Sequence, residues 1–203
     1  MHPLAAVGLS YLSGSIPAAY LAGKLFRGID LRDHGSGNLG ATNVFRVMGG
    51  KLGALVMAVD VAKGALPVFY LPGAVGVPDR GWWAIAFGVA AILGHVRPVF
   101  LLWKGGGKGV ATAAGVFLAL APFALLLATL AWTAIVLLSG YVSLASLGAA
   151  ILLPAAILAT EGPRSPLFAV AGAMGVFVFW THRTNIGRLR RGEEHRFGRK
   201  KPA

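Results

Sequence analysis

Four short polar stretches, separated by long hydrophobic runs, carry nearly every side chain that could do chemistry. These stretches are residues 24–51, 104–112, 140–143 and 182–203. The first contains residues 34–43, which read His-Gly-Ser-Gly-Asn-Leu-Gly-Ala-Thr-Asn, followed by Arg46. Interleaved glycines let a backbone approach a ligand closely and direct its N–H groups at an anion. An arginine can donate two parallel hydrogen bonds to phosphate oxygens. A flexible interfacial loop fits the same composition equally well.

The second stretch is a glycine-rich segment, residues 104–112, with the sequence Lys-Gly-Gly-Gly-Lys-Gly-Val-Ala-Thr. It directly precedes a hydrophobic run, so we expect it at a helix N-terminus, where the helix dipole favours anions. It is not a nucleotide P-loop, because Leu102 replaces the first required glycine and Gly109 replaces the hydroxyl residue after Lys108. We therefore predict a phosphate cradle rather than a bare helix cap, and we do not expect ATP hydrolysis.

The composition places these stretches in a membrane protein. Of 203 residues, 56% are hydrophobic and only 13% are charged, and the mean hydropathy is +0.70. A net charge of +12 would indicate a nucleic-acid partner only on a folded soluble module with a basic face. Here the cations lie between hydrophobic runs, so we expect membrane lipids and no nucleic acid as partners. The absence of cysteine excludes disulfides, thiolate nucleophiles and cysteine-ligated metals.

The hydrophobic runs predict the number of membrane spans. A crossing needs about 20 apolar residues, and on that basis we predict spans at five runs of about 16 to 21 residues. One uncharged run, Val110–Ser139, would form a helix about 45 Å long, against a hydrocarbon core of about 30 Å. Pro122 in its middle favours a break. The five other predicted spans are Leu4–Ala22, Leu52–Leu71, Trp82–Leu102, Leu144–Ala159 and Pro166–Thr181.

The distribution of cations predicts the orientation, since Lys and Arg collect in cytoplasmic loops. Residues 24–51 carry five cations and the tail from His182 carries eight, whereas the connections around Arg80 and Arg164 carry one each. Both basic segments share one side only if Val110–Ser139 forms two short helices. We therefore predict an all-α integral membrane protein, residues 1–203 as a single membrane domain. It would have seven transmembrane helices, two of them short (within 110–139), with the N-terminus outside and the C-terminus cytoplasmic.

Ionisable residues also occur within the predicted spans. Asp60 and Lys63 are three residues apart and therefore share one helix face, and His95 and Arg97 lie near the end of the third span. Such groups usually face the bundle interior and have a function. For Asp60 and Lys63 we favour an internal ion pair over direct chemistry, and for His95 both interpretations stay open.

The basic tail follows the last predicted span. Positive charge at this position is expected from topology alone, and we assign Arg196, Arg199, Lys200 and Lys201 to topology and anionic lipid. Topology does not require His182 and Asn185 at the boundary, so these two residues are candidates for a site.

Taken together, the motifs resemble the bacterial acyl-phosphate-dependent glycerol-3-phosphate acyltransferases, the PlsY family. The resemblance extends over essentially the whole chain and involves several separate motifs in the family's order. One difference is an extra glycine between Lys104 and Lys108, where the family usually reads Lys-Gly-Gly-Lys-Gly. The matching motifs are residues 35–43 with Arg46, Asp60 with residues 63–64, residues 94–95 and 98–100, residues 107–112, and His182-Arg183 with residues 185–186, 188–189 and Glu194.

The resemblance implies that the 1-hydroxyl of glycerol 3-phosphate attacks acyl phosphate on the cytoplasmic side of a bacterial inner membrane. The products would be lysophosphatidic acid and inorganic phosphate, with no cofactor, no metal and no obligate protein partner. Either His182 or the departing phosphate would take the hydroxyl proton. The implied catalytic residues are Ser36, Arg46, Lys108, His182 and Asn185. The implied substrate-binding residues are Lys24, Gly37, Asn38, Thr42, Asn43, Lys104, Gly106, Gly107, Gly109, Thr112, Ser143 and Arg188.

The alternative function is a membrane transporter of a small phosphorylated solute. Intramembrane charges and a broken helix are compatible with it, but the sequence shows no inverted repeat and the polar stretches are predicted on one side. We therefore favour the acyltransferase.

Overall fold

The computed structural model describes residues 1–77 and 79–197, and every regular element in those ranges is a helix. Predicted residues Arg199, Lys200 and Lys201 lie outside the described residues. Within these described ranges, five helical segments are long and apolar enough to cross a membrane, and two more apolar helices are shorter, Val110–Leu120 and Pro166–Thr181. The chain divides into two compact units, residues 1–120 and residues 121–203.

Unit 1 contains six helices. They are α1 (Pro3–Ser15), α2 (Ala18–Arg27), α3 (Ala41–Met48), α4 (Gly50–Val75), α5 (Arg80–Val96) and α6 (Val110–Leu120), with 3₁₀ turns at Leu31–Asp33 and Val99–Leu101. The first predicted span is therefore two helices, because Pro17 has no N–H and the chain turns at Ile16. Helix α3 was not predicted, since its surroundings are rich in glycine.

Close backbone contacts hold the helices of unit 1 together. Helix α1 packs on α5, and α4 packs on α5 and α6. Gly94 of α5 lies against the Tyr11 carbonyl of α1, and Gly64 of α4 lies against the Thr112 carbonyl of α6. Any side chain there would collide with backbone, so glycine permits the close helix approach that is common in membranes.

A small apolar cluster supports the segment between α2 and α4. Leu31 and Val44 are fully buried in it. Because this cluster joins the 3₁₀ turn, α3 and the start of α4, the polar loop at residues 34–40 has a packed base. The other buried members are Ala19, Ala22, Leu39, Met48 and Val56.

Unit 2 contains α7 (Pro122–Ser139), α8 (Val142–Glu161), α9 (Pro166–Thr181) and α10 (Arg183–Arg190). Helix α8 packs on α7 and on α9. The predicted break in Val110–Ser139 is confirmed, since α6 ends at Leu120 and α7 begins at Pro122. However, α7 has 18 residues and meets the length for a span, so only α6 is short in this run.

Candidate active site

The first polar loop is organised by the side chain of Asn43. Its Oδ1 accepts a hydrogen bond from the Ser36 backbone N–H at 2.9 Å. Its Nδ2 donates to the carbonyls of His34 at 3.0 Å and Leu31 at 3.3 Å. Asn43 is 2% exposed, so its amide is committed to the loop backbone. Its predicted contact with substrate stays a prediction, and these three bonds fix the backbone around Ser36.

Two hydrogen bonds join this loop to the glycine-rich segment. Arg32 Nη1 donates to the Lys104 carbonyl, and Asn38 Nδ2 donates to the Gly106 carbonyl, each at 3.4 Å. Arg32 is itself fixed by Asp30, with Nη2 2.6 Å from Oδ2. The hydrogen bond from Arg32 is the main cause that lowers the pKa of Asp30 to about 2. The two predicted motifs therefore adjoin within unit 1.

The glycine-rich segment is fixed at both ends. On one side, Leu102 and Trp103 have positive φ angles of 51° and 58°, which is strained for residues with side chains. The Trp103 indole N–H donates to the Tyr11 hydroxyl at 2.8 Å, and its carbonyl accepts from Arg97 Nη1 at 3.4 Å. On the other side, the Gly109 carbonyl accepts the Ala113 N–H at 2.8 Å, which starts α6 as predicted.

The remaining predicted residues of unit 1 differ in exposure. Thr112 is fully buried, and its hydroxyl has no hydrogen-bond partner among the described residues. Lys24 is exposed, with its ammonium 5.8 Å from the centre of the Tyr20 ring. Lys108 is half-buried. The exposed residues are Ser36, Gly37, Thr42, Arg46 and Lys104, and Gly109 is buried.

The buried charges form an ion pair, as predicted. Lys63 Nζ lies 2.8 Å from Asp60 Oδ1 and also donates to the Ile16 carbonyl at 2.9 Å. His95 Nδ1 lies 3.5 Å from the same Asp60 oxygen. At this distance the contact is electrostatic, and Nδ1 has no hydrogen-bond partner among the described residues.

In unit 2, Glu194 is the acceptor around which three predicted site residues gather. Its Oε1 accepts from Asn185 Nδ2 at 2.7 Å and from Ser143 Oγ at 3.0 Å. Its Oε2 accepts from Arg188 Nε at 2.7 Å. Burial alone would raise the pKa of Glu194, but the bonds from Arg188, Asn185 and Ser143 outweigh it and hold the pKa below its ordinary value.

The tail after α10 folds back within unit 2. The Phe197 N–H donates to the Gly140 carbonyl at 2.7 Å, and the Arg196 guanidinium lies 5.0 Å from the centre of the Tyr141 ring. Arg196, which we assigned to topology and lipid, thus has a specific contact inside the protein. This contact was not predicted from the charge pattern.

His182 forms the junction of α9 and α10 and is 3% exposed. Its Nδ1 lies 2.9 Å from the Val178 carbonyl oxygen. Since a carbonyl oxygen only accepts, this geometry assigns the proton of a neutral ring to Nδ1 and leaves Nε2 as the acceptor nitrogen.

The apolar helices define a multi-pass membrane protein, and two glycine-rich polar segments are joined within unit 1. Residues 4–192 match the family described as Glycerol-3-phosphate acyltransferase. The chain belongs to this family.

Similar proteins cover nearly the whole chain. The glycerol-3-phosphate acyltransferase of Synechococcus sp. (strain CC9902) is 47% identical over 98% of both chains. That of Anaeromyxobacter dehalogenans (strain 2CP-1) is 43% identical over 93% of this chain and 94% of that protein.

Solved structures agree with these relatives. The chain is similar to the crystal structure of PlsY (YgiH), an integral membrane glycerol 3-phosphate acyltransferase, in its glycerol 3-phosphate form. The TM-score is 0.88 and the identity 42%, over 97% of this chain and 96% of that one. The lysophosphatidic acid form of PlsY gives a TM-score of 0.85 at 41% identity, over 97% and 95%.

Proposed function

We propose that this protein transfers a fatty acyl group from acyl phosphate to the 1-hydroxyl of sn-glycerol 3-phosphate. The products are lysophosphatidic acid and inorganic phosphate, in the first step of phospholipid synthesis. The observation that carries the proposal is the junction of the Ser36 loop with the glycine-rich segment, through Arg32 and Asn38. The similarity to PlsY in forms with substrate and with product supports it.

The reaction needs positioning and charge neutralisation more than an activated nucleophile. The acceptor hydroxyl oxygen forms an ester bond to the acyl carbonyl carbon, while the bond from that carbon to the phosphate oxygen breaks. The electron pair leaves with phosphate, so cationic and N–H groups at the phosphate stabilise the transition state. We assign this role to Lys108 and Arg46, with Ser36 and the glycine-rich backbone as further ligands.

The hydroxyl proton passes either to the departing phosphate or to Nε2 of His182. The tautomer assigned above presents Nε2 as an acceptor, which is the form a base requires. The prediction that Ser143, His182 and Asn185 bind substrate together with Lys108 stays a prediction. Lys24, Thr42 and Gly37 likewise remain predicted substrate contacts.

We further propose seven transmembrane helices in a bacterial inner membrane, with the N-terminus outside and the site cytoplasmic. The five long and two shorter apolar helices support this number, and the basic loop and tail support the orientation. Because the chain has no cysteine, single-cysteine variants can report the topology. We expect Glu161→Cys to react with an impermeant maleimide from outside intact cells, and Arg191→Cys only after permeabilisation. The reverse pattern would refute the orientation.

The activity is tested with purified protein in detergent, palmitoyl phosphate and glycerol 3-phosphate. We expect phosphate release that requires the acceptor and matches lysophosphatidic acid formation, and no product when palmitoyl-coenzyme A replaces palmitoyl phosphate. Lys108→Ala should lose this activity, whereas the matched control Lys51→Ala, an exposed lysine in the first turn of α4, should keep it. Folded protein that makes neither product would refute the acyltransferase and favour a transporter of a phosphorylated solute.

A further inference from the structure

We infer that His95, held by Asp60, is a positioning residue for the glycine-rich segment. In this role the imidazole supports the backbone of Gly107, so that the segment is placed where its N–H groups can meet a phosphate group. The inference deepens the proposed function and rests on it, because it assumes that this segment binds phosphate.

Two residues of the segment sit directly on the end of α5. The Gly107 N–H donates to the His95 carbonyl at 3.2 Å. The space that a Gly107 side chain would need is filled by Nε2 of His95, and the space beside Gly106 is filled by the carbonyl of Val96. The backbone of the segment therefore lies directly against His95 and the following peptide group, because Gly106 and Gly107 have no side chains.

The His95 ring faces a buried ion pair on one other helix, α4. Asp60 of α4 faces Nδ1 of the ring, and Lys63 ties that carboxylate to the Ile16 carbonyl at the break between α1 and α2. The side chains of Asp60 and His95 are 2% and 4% exposed. The carboxylate therefore stays paired with Lys63, because an unpaired buried charge is strongly destabilising. Asp60 thus lies on the Nδ1 side of the ring, opposite the Nε2 side that faces Gly107.

A purely structural ion pair does not account for this arrangement. Asp60 and Lys63 tie α4 to the start of α2 without His95, and an apolar ring would fill the same volume. A small open cleft adjoins the segment, with Lys63, His95 and Gly105 among its lining residues. Both the hydrogen bond of the Gly107 N–H and the ring contact come from His95, so this residue decides where Gly107 lies.

The contact predicts a specific coupling between two substitutions. Gly107→Ala adds a methyl group where the His95 ring lies, so the segment must move away from its position. Displacements of this kind cost about 100-fold in rate, and we expect that loss in kcat/KM. In a His95→Ala background the methyl group has room. The double variant should therefore be at least about 10-fold more active than the product of the two single effects predicts, since contacting residues couple.

His95 variants separate positioning from folding. We expect His95→Gln, which places its terminal amide near the position of Nε2, to keep more activity than His95→Asn, which does not reach Gly107. The loss should appear in KM for a phosphorylated substrate, with Tm of both variants equal within error. Ser10→Ala, another fully buried polar residue, serves as the control for substitution inside α1 to α6.

A second measurement does not depend on activity. Trypsin cleaves after Lys104 and Lys108, and His95→Asn should raise the cleavage rate there about 10-fold relative to cleavage after Arg191, because a displaced segment opens more often. Independent, multiplicative effects of Gly107→Ala and His95→Ala, with unchanged cleavage, would overturn the inference. A wild-type protein without acyltransferase activity, but with faster cleavage in His95→Asn, would refute the proposed function and leave the support of the segment by His95 established.

Discussion

Replacing Glu194 by glutamine should destabilise unit 2 far more than the same change at the neighbouring Glu193. Glu194 accepts three hydrogen bonds, from Ser143, Asn185 and Arg188, and its side chain is 5% exposed. Glu193 pairs only with Arg191, and both side chains are more than half exposed. The two adjacent glutamates therefore differ in environment while sharing charge and chain position.

The magnitude follows from the bonds that a glutamine cannot make. A hydrogen bond to a charged group contributes about 1.5–3 kcal/mol. Glutamine has one acceptor oxygen, so either the bond from Arg188 or the pair from Asn185 and Ser143 is lost. Because the Arg188 side chain is 30% exposed, water replaces part of its bond, and we take about 1.5–2 kcal/mol. For a chain of this size each kcal/mol lowers Tm by about 2–4 °C, so the expected decrease is about 3–8 °C.

The assay is thermal unfolding in detergent at two pH values. The pKa of Glu194 is depressed in the folded protein, so its contribution is present above the ordinary value of 4.5 and is lost as pH falls through the folded value. The Tm difference between wild type and Glu194→Gln should therefore be full at pH 7 and shrink well below pH 4.5. Glu193→Gln should change Tm by no more than about 2 °C, as for an exposed ion pair. Equal decreases for both variants, or a difference that grows in acid, would refute the reasoning.

Three further outcomes follow from the contacts of unit 1. Asn43→Ala removes three hydrogen bonds between a buried amide and the loop backbone, so we expect a loss of about 1–3 kcal/mol in stability and a lower kcat/KM, measured by thermal unfolding and phosphate release. Asp30→Asn should raise KM for a phosphorylated substrate a few-fold, whereas Asp33→Asn, in the same turn, should not; equal KM values would contradict this. Gly105→Ala should keep more activity than Gly106→Ala in the same phosphate-release assay, and the opposite order would contradict the assigned contacts.

The hydrophobic pattern predicted which segments are helical better than it predicted where each helix begins and ends. Pro166–Thr181 and the break before Pro122 were predicted correctly, because length and proline dominate both features. The kink at Ile16 was missed, since Pro17 lies inside an uninterrupted apolar run. Helix α3 was also missed, because its amphipathic pattern is only eight residues long and follows a glycine-rich loop.

Sequence motifs named candidate site residues but not what each one does. Asn43 and Ser36 belong to one motif, yet one is buried against three backbone groups and the other is exposed. Asp30 and Arg32 were not singled out, although their spacing of two in a short turn allows the bond that fixes the glycine-rich segment. Such roles depend on which backbone groups remain unpaired after folding, and a linear motif does not contain that information.

The family resemblance implies one extra glycine between Lys104 and Lys108, and the contacts indicate where it would lie. A side chain at Gly106 would meet backbone carbonyls, and one at Gly107 would meet the oriented His95 ring; neither neighbour can move freely. At Gly105, with φ of +81°, the nearest atom to an added side chain is Cδ of Arg32 at 3.0 Å, a side-chain rather than a backbone contact. The main cost there is the left-handed backbone, about 1–2 kcal/mol for a residue with a side chain. Gly106 and Gly107 therefore hold the segment against the end of α5. We assign Gly105, which lies beside Arg32, as the additional residue of the segment.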